Sequence, residues 1–140
     1  MQITRRHLGA LLPALTAFQA NAQKPRLATR AYRYEDLPVR VNGDNRSRAI
    51  FDGTTRTGFG IEIHETELAP GLAPHASHHH VHDEMLILRE GALEVMIDGR
   101  SERINAGSVV FLASNVEHGW RNVGDTRARY FVMALGRETA

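Results

Sequence analysis

The stretch His78-His79-His80-Val81-His82-Asp83-Glu84 says more about the fold and chemistry of this chain than any other. Neutral imidazole is the commonest transition-metal ligand among side chains. On a β-strand His78 and His80 project from the same face, and Glu84 can join them if the chain bends once. Imidazoles with one carboxylate suit divalent iron, manganese, nickel or zinc.

A second segment supports this interpretation. Five of the eight histidines lie within residues 75–82, and His118 follows in Asn115-Val116-Glu117-His118-Gly119-Trp120-Arg121-Asn122. A histidine-rich run can also be a solvated loop that binds metals without specificity, or a pH-sensitive surface patch. The two segments together favour an ordered metal site.

Four further side chains near these segments are predicted to surround the ligands or to pack in the core. We expect His79 and His82 to be exposed or to lie beside the ligands rather than to be ligands. His75 has the opposite strand parity from His78 and is a candidate for the rim of the site. Trp120 shares the parity of His118, so it either faces the cavity or packs in the core.

No general base is evident in the sequence. Glu62 and Glu117 are available, and His64, which lies mid-strand, is expected to be a surface histidine. Five larger apolar residues are expected in the core rather than in a substrate pocket: Met85, Met96, Phe111, Tyr130 and Met133.

Residues 1–22 have the composition of an export signal. They contain no acidic residue, and a basic pair in Thr4-Arg5-Arg6-His7-Leu8 precedes a short apolar stretch and Ala20-Asn21-Ala22. The basic pair resembles a twin-arginine motif, and an ordinary secretory signal is the alternative. The apolar stretch, residues 8–20, is too short to span a membrane well, so we expect no stable membrane anchor. The protein is therefore expected to be exported, to the periplasm or the medium.

Composition narrows the partners and the ligands. Cleavage after Ala22 would remove two arginines and no acid, which changes the formal net charge from +1 to −1. With no basic stripe, a nucleic-acid partner has no electrostatic support. The chain has no cysteine, so nitrogen and oxygen atoms must hold any metal. The remaining 118 residues suffice for one domain.

The region from residue 46 to residue 140 has the pattern of a β-domain. Short apolar runs alternate with Gly, Asn and Asp, residues 60–66 alternate as a half-buried strand does, and Asp98-Gly99 is a strong hairpin signal. Nine or ten short strands indicate a closed antiparallel barrel or a jelly roll. Residues 23–45 form a polar arm that is disordered or lies across the domain or a partner.

Two motifs resemble those of the cupin superfamily, and of its small bacterial single-domain members in particular. His78-x-His80-x3-Glu84-x6-Gly91 is similar to the first cupin motif, and Gly107-x5-Ala113-x-Asn115-x2-His118-x3-Asn122 is similar to the second. The resemblance covers roughly residues 46–135. It implies an all-β fold, the double-stranded β-barrel of jelly-roll type. It also implies four metal ligands: His78, His80, Glu84 and His118.

One departure from the second motif concerns the turn before His118. Ala113 and Asn115 replace the usual proline and glycine, and Asn is the non-glycine residue that best tolerates a positive φ. The turn is therefore expected to survive.

The resemblance also implies a function. We expect one divalent transition-metal ion per chain, with iron or manganese favoured over nickel or zinc. A dioxygenase or oxidase acting on a small chelating substrate is the first expectation. A non-redox isomerase or hydrolase, or a non-catalytic small-molecule or metal-binding protein, is the alternative. Small cupins are commonly dimers, so we expect a homodimer in which the arm packs on the partner's sheet; a flexible linker is the other possibility.

Overall fold

The computed structural model of the protein describes residues 24–137 and shows an all-β chain. The predicted signal, residues 1–22, lies outside the described residues, as do Gln23 and residues 138–140. No helix in the described part is long and apolar enough to cross a membrane. Within residues 24–137 a 3-10 turn, Tyr34–Asp36, precedes nine strands: β1 (Val39–Asn42), β2 (Asn45–Thr54), β3 (Phe59–Leu68), β4 (Asp83–Glu90), β5 (Ala92–Ile97), β6 (Arg100–Asn105), β7 (Val109–Leu112), β8 (His118–Asn122) and β9 (Ala128–Arg137).

The strands form two antiparallel sheets that enclose the core. The larger sheet has the order β1-β2-β3-β9-β4-β7, and the smaller has the order β6-β5-β8. Their facing surfaces bury one apolar cluster: Leu68, Leu86, Leu88, Leu93, Val95, Val110, Leu112, Trp120, Ala128, Tyr130 and Val132. This arrangement confirms the predicted double-stranded β-barrel of jelly-roll type.

Burial along β4 shows how a strand of this barrel positions a functional side chain. Glu84, Leu86 and Leu88 are buried, whereas Met85 and Ile87 between them are only partly buried. Because side chains alternate between the two faces of a strand, Glu84 shares the inner face with the core leucines. It lies at the end of that face, where the core stops and the candidate site begins.

Local sequence signals explain two of the turns. Asp98 and Gly99 join β5 to β6 with φ angles of 47° and 75°, the left-handed pair that a two-residue hairpin requires. Asn115 has a φ of 62°, which confirms that it supplies the positive φ expected there. Asn122 ends β8, and its side-chain amide donates hydrogen bonds to the carbonyls of Leu68 and Thr126, each 2.8 Å long.

Strand prediction was accurate in the second half of the chain and failed at the histidine run. The apolar runs of the sequence predict strands at residues 93–97, 100–104, 109–112 and 118–122. The last two strands have those bounds, and β5 and β6 are each one residue longer than predicted. His78 and His80, however, lie in the loop before β4, and His78 makes only an isolated bridge with His118. The expected strand does not form because the segment around His78 pairs with β8 over too few residues.

The outer face of the larger sheet is apolar as well. Phe111 was expected in the core, but it lies on this outer face and is 57% exposed, next to Val109 at 58%. Part of the face is covered by the predicted arm, whose Tyr32 ring lies 5.0 Å from that of Phe51. The arm also supplies β1, which pairs with β2 of the same chain. The arm therefore lies across its own domain.

Candidate metal centre

The backbone brings His78 and His118 together. The loop between β3 and β4, residues 69–82, runs antiparallel to β8. The His78 N–H donates to the His118 carbonyl over 3.0 Å, and the His118 N–H donates back over 2.9 Å. Gly71 and Leu72 make equivalent bonds with Asn122 further along β8. As a result the rings of His78 and His118 lie 4.8 Å apart, although forty residues separate them in the sequence.

His80 and Glu84 complete the cluster. The His80 carbonyl accepts a 2.7 Å hydrogen bond from the Asn115 N–H, which ties the loop to the turn before β8. His80 Nε2 lies 3.2 Å from Glu84 Oε2, and His118 Nε2 lies 3.5 Å from Glu84 Oε1. The structure thus brings together all four side chains that the cupin resemblance implied as ligands.

The donor set fits a divalent cation. His118 Nδ1–H donates to the Val116 carbonyl over 2.8 Å, which leaves a lone pair on Nε2, and His80 Nδ1 is bonded in the same way to the His82 carbonyl. His118 Nε2, His78 Nδ1 and Glu84 Oε1 are buried without a hydrogen-bond partner. Buried polar atoms are normally satisfied, so three unpartnered ligand atoms within one cluster of side chains indicate a place for a cation.

The pKa values of two histidines in the cluster are lowered, which agrees with metal binding there. Partial burial lowers the pKa of His78, and the charge that each neighbouring histidine carries when protonated lowers it further, whereas Glu84 raises it. The pKa of His82 is lowered in the same way, first by burial and then by His80. A neutral imidazole is the form that binds metals.

Two overlapping triads within the described residues can hold a metal ion. In one, ligand atoms of His78, His80 and His118 lie within 4.8 Å of one another; in the other, those of His80, His82 and Glu84 do. His82 is half-buried, and its ring stacks on His80 with centroids 3.7 Å apart and planes 9° apart. His82 was expected to be exposed or beside the ligands, and it lies beside them.

The remaining aromatic residues have distinct positions. His79 is exposed. His75 is also exposed, but its ring lies 4.3 Å from that of His78, at the rim of the cluster. Trp120 is buried in the core and donates through Nε1 to the Tyr130 hydroxyl over 2.9 Å. The Trp120 ring also lies 6.0 Å from that of His118, so this residue connects the core with the site.

Sequence reasoning missed a polar pair on β3. His64, which was expected to be a surface histidine, donates from Nδ1 to Glu62 Oε1 over 2.9 Å, and the two side chains are 31% and 29% exposed. Glu62 is paired with Ala134 on β9, and Ala134 is paired with Glu84 on β4. Directly paired residues share a face of the sheet, so Glu62 and Glu84 both belong to the inner face. Only the strand register shows that Glu62 and Glu84 share this face, and the sequence does not reveal the register.

Gly119 is the other missed residue. It lies between the two inward-facing side chains of His118 and Trp120, where the loop passes over β8. A glycine inside a strand often marks a close approach of another backbone, and that was the available signal.

A cleft of ≈ 990 Å³, lined by polar and apolar side chains alike, lies between the edge strands β6 and β7. None of the four expected ligands lines it. Its floor includes Val95 and Ile97, which are paired with Trp120 and His118 on β8. The cleft therefore reaches the apolar interior of the barrel next to His118.

The fold and the site define a small jelly-roll protein with a cluster of three histidines and one glutamate that can bind a metal ion. The chain belongs to the Cupin_2 family: the model of this family, described as a cupin domain, matches residues 64–134.

Individual proteins of known sequence or structure are also similar to this chain. Protein SchB of Streptomyces halstedii is 28% identical over 107 residues, which is 74% of each chain. KdgF of a Halomonas species has a similar structure, with a TM-score of 0.65 and 14% identity over 79% of this chain and 97% of its own. The polyketide cyclase RemF of Streptomyces resistomycificus gives a TM-score of 0.62 and 18% identity over 81% of this chain and 87% of its own. At these identities the two structures demonstrate a shared fold.

Proposed function

We propose that the protein is a metal-dependent oxidoreductase of the dioxygenase or oxidase type, which acts on a small organic substrate that chelates its metal. One divalent ion per chain, iron or manganese, would be held by His78, His80, Glu84 and His118. The observation that supports this most is the convergence of buried, unpartnered lone pairs on His78, Glu84 and His118. A bound ion supplies open coordination positions for a chelating substrate and dioxygen, and Lewis acidity toward the substrate.

The chain's own residues orient the ligands and exclude water. The carbonyls of Val116 and His82 accept the Nδ1–H of His118 and His80, which fixes each ring's tautomer and direction. Next to Glu84 and Ala134 on the inner face, Leu86 and Val132 are paired and buried, so that apolar side chains lie on the core side of the cluster. Ala134, paired with both Glu84 and Glu62, presents only a methyl group between these two side chains on the inner face.

A non-redox isomerase, cyclase or hydrolase is the second candidate. The observation in its favour is the hydrogen-bonded pair of Glu62 and His64 on the inner face, because such enzymes need a group that takes and returns a proton. The structural neighbour RemF is named as a cyclase, which is compatible with this candidate. In this case zinc would serve as well as iron, and the reaction would need no dioxygen.

Metal analysis combined with oxygen uptake separates the candidates. The untagged protein is purified as isolated, its metals are measured, and oxygen consumption is followed with a panel of phenolic, enol and keto-acid compounds. An oxidoreductase holds iron or manganese and consumes oxygen with at least one compound. A protein that holds only zinc and is silent across the panel would overturn the oxidative proposal in favour of the second candidate or a binding protein.

We also propose that the protein is exported, and residues 1–22 carry this proposal. Twin-arginine export moves folded proteins, so metal would be loaded in the cytoplasm, where availability rather than affinity can favour iron or manganese. Cell fractionation and the N-terminal sequence of the mature protein test this. Replacing Arg5 and Arg6 with lysine should retain the precursor in the cytoplasm, and unchanged export of that variant would indicate an ordinary secretory route.

A homodimer is proposed as the assembly. The support is the apolar outer face of the larger sheet, which exposes Val109 and Phe111 on its edge strand β7. Exposed edges and apolar faces of this kind are usually paired or covered. In the proposed dimer the arm, residues 23–45, stays paired with β2 of its own chain, and its exposed side, which includes Val39 and Val41, packs on the partner's sheet.

A further inference from the structure

The inner face carries polar groups on both sides of the candidate site. Glu84 borders it on β4, and Glu62 with His64 borders it on β3, with Ala134 of β9 between them. Directly opposed residues of neighbouring strands are roughly 5 Å apart, so Glu62 is about 10 Å from Glu84 across the sheet. A small molecule bound at the histidine cluster would lie over Ala134 and reach the β3 side.

The space over β9 is bounded by short side chains. Ala134 is followed on the same face by Gly136, and a Cβ at Gly136 would be 3.6 Å from the His82 Cβ. His82 therefore covers Gly136, while the position of Ala134 remains between the two acidic side chains. The size of a ligand on this side is limited by His82 above and by the β3 pair across.

The pair on β3 is arranged to accept a proton. Because His64 Nδ1 lies 2.9 Å and 3.2 Å from the two oxygens of Glu62, the carboxylate holds the proton on Nδ1 and leaves the lone pair on Nε2. A carboxylate behind a histidine also stabilises the imidazolium ion that forms when Nε2 takes a proton. Deeper on the same face Thr66 and Leu68 are buried, so the pair lies where the core ends.

We propose that His64, held by Glu62, accepts the proton of an acidic hydroxyl group of a ligand that binds at the histidine cluster. The inference rests on the proposed function, and it names the substrate class as catechol-like or enol-like compounds. The O–H bond breaks, the oxygen keeps the electron pair, and the proton moves to His64 Nε2, so the step needs no oxidant. The ligand would then be held at the cluster in its fully ionised form.

The charged groups nearest to His64 are mostly acidic. Glu62 is on the same strand, Asp52 on β2 is paired with Glu62 and forms an ion pair with Lys24, and Glu84 is on the same face of β4. The loop between β3 and β4 adds His82, whose pKa the charge of Glu62 acts to raise against the larger effect of burial.

The test uses 4-nitrocatechol, whose singly and doubly ionised forms differ in colour, with the full-length protein loaded with iron. His64→Gln is compared with His79→Gln, a control at an exposed histidine, and Glu62→Gln serves as a second variant. Metal content and circular dichroism are measured for each. We expect wild-type protein and the control to bind the doubly ionised form at neutral pH. His64→Gln should keep its iron and bind the probe at least 10-fold more weakly, or only as the singly ionised form. This deficit should shrink as the pH rises.

Two results would overturn the inference, and they differ in what else they overturn. If His64→Gln and Glu62→Gln bind the same ionised form with wild-type affinity, His64 does not take the proton, and the proposed function stands. If iron-loaded wild-type protein binds no 4-nitrocatechol, the proposal of a chelating substrate fails, and the inference fails with it.

Discussion

Gly119 on β8 lies directly against Ser77 of the loop: a Cβ atom at Gly119 would be 2.7 Å from Ser77 Oγ and 3.2 Å from Ser77 Cα. The first separation is shorter than real Cβ contacts and the second is tighter than most of them, so the absence of a side chain at Gly119 lets the loop follow β8 this closely. The next residue of the loop is His78, whose bridge to His118 brings the two rings together.

The first prediction follows from this contact. Gly119→Ala should move the loop away from β8 and with it His78. We expect a loss of about 1–3 kcal/mol in the free energy of unfolding and roughly 10- to 100-fold weaker metal binding. Denaturant unfolding and metal titration measure the two effects. Gly124→Ala is the control, since its Cβ would meet nothing closer than 3.4 Å. Equal metal affinity in the two variants would contradict the prediction.

The second prediction concerns which triad holds the ion. His78→Ala, Glu84→Ala and His118→Ala should each lose most of the metal, and the double variant His80→Ala, His118→Ala should lose all of it. His82→Ala should retain it, because His82 is stacked on His80 rather than directed at the cluster of unpartnered lone pairs. Elemental analysis of untagged protein decides the matter, with His79→Ala as the control. Full occupancy of the double variant would refute the site, and loss in His82→Ala alone would favour the triad of His80, His82 and Glu84.

The third prediction is that the metal stabilises the barrel. Removing a cation from converging lone pairs leaves them unsatisfied, and a ligand present at 100 times its Kd adds about 2.7 kcal/mol to the free energy of unfolding. Chelator treatment should therefore lower the Tm by roughly 10 °C. Calorimetry before and after chelation measures this, and adding the metal back should restore the Tm. An unchanged Tm in a protein that demonstrably lost its ion would rule out a role in folding stability.

The fourth prediction concerns alkaline pH. Burial raises the pKa of Tyr130 to about 12 from the ordinary tyrosine value of 10.0. Since the folded state keeps the phenol protonated at pH values where the unfolded chain ionises, this contribution to stability is complete below pH 10 and is lost as the pH rises toward 12.

Tyr130→Phe tests this contribution. The variant should lose about 1–3 kcal/mol at neutral pH because the Trp120 N–H loses its acceptor, and its stability should fall less steeply above pH 10. Urea unfolding at a series of pH values provides the comparison. Parallel pH profiles of the variant and the wild type would show that the buried phenol does not carry the dependence.

The fifth prediction concerns assembly. Full-length mature protein should be a dimer at micromolar concentration, and removal of residues 23–42 should weaken or abolish it, since the arm is proposed to pack on the partner. Light scattering measures the mass, and Phe111→Ser tests the exposed outer face separately. A truncated dimer of unchanged stability would leave the arm as a linker. A monomeric full-length protein would overturn the proposed dimer altogether.

The sequence predicted the barrel from local signals, and it predicted the four clustered side chains through the resemblance of its two motifs to those of cupins. Alternation, the Asp98-Gly99 hairpin and the spacing of the two motifs are readable along the chain. The position of His64 was not, since it depends on the register of β3 against β9, which is a non-local property. Phe111 was misplaced because residues 109–112 are apolar on both faces of β7, so that the pattern does not say which face is inside.

Trp120 is the one tryptophan of the chain, and it stands 6.0 Å from the ring of His118. Intrinsic fluorescence therefore comes mainly from a fluorophore within contact range of the cluster. A redox-active ion such as iron should quench that emission strongly, and zinc should quench it much less. Loading, loss and exchange of metal can thus be followed by the fluorescence of the unlabelled protein. No assay for turnover is needed.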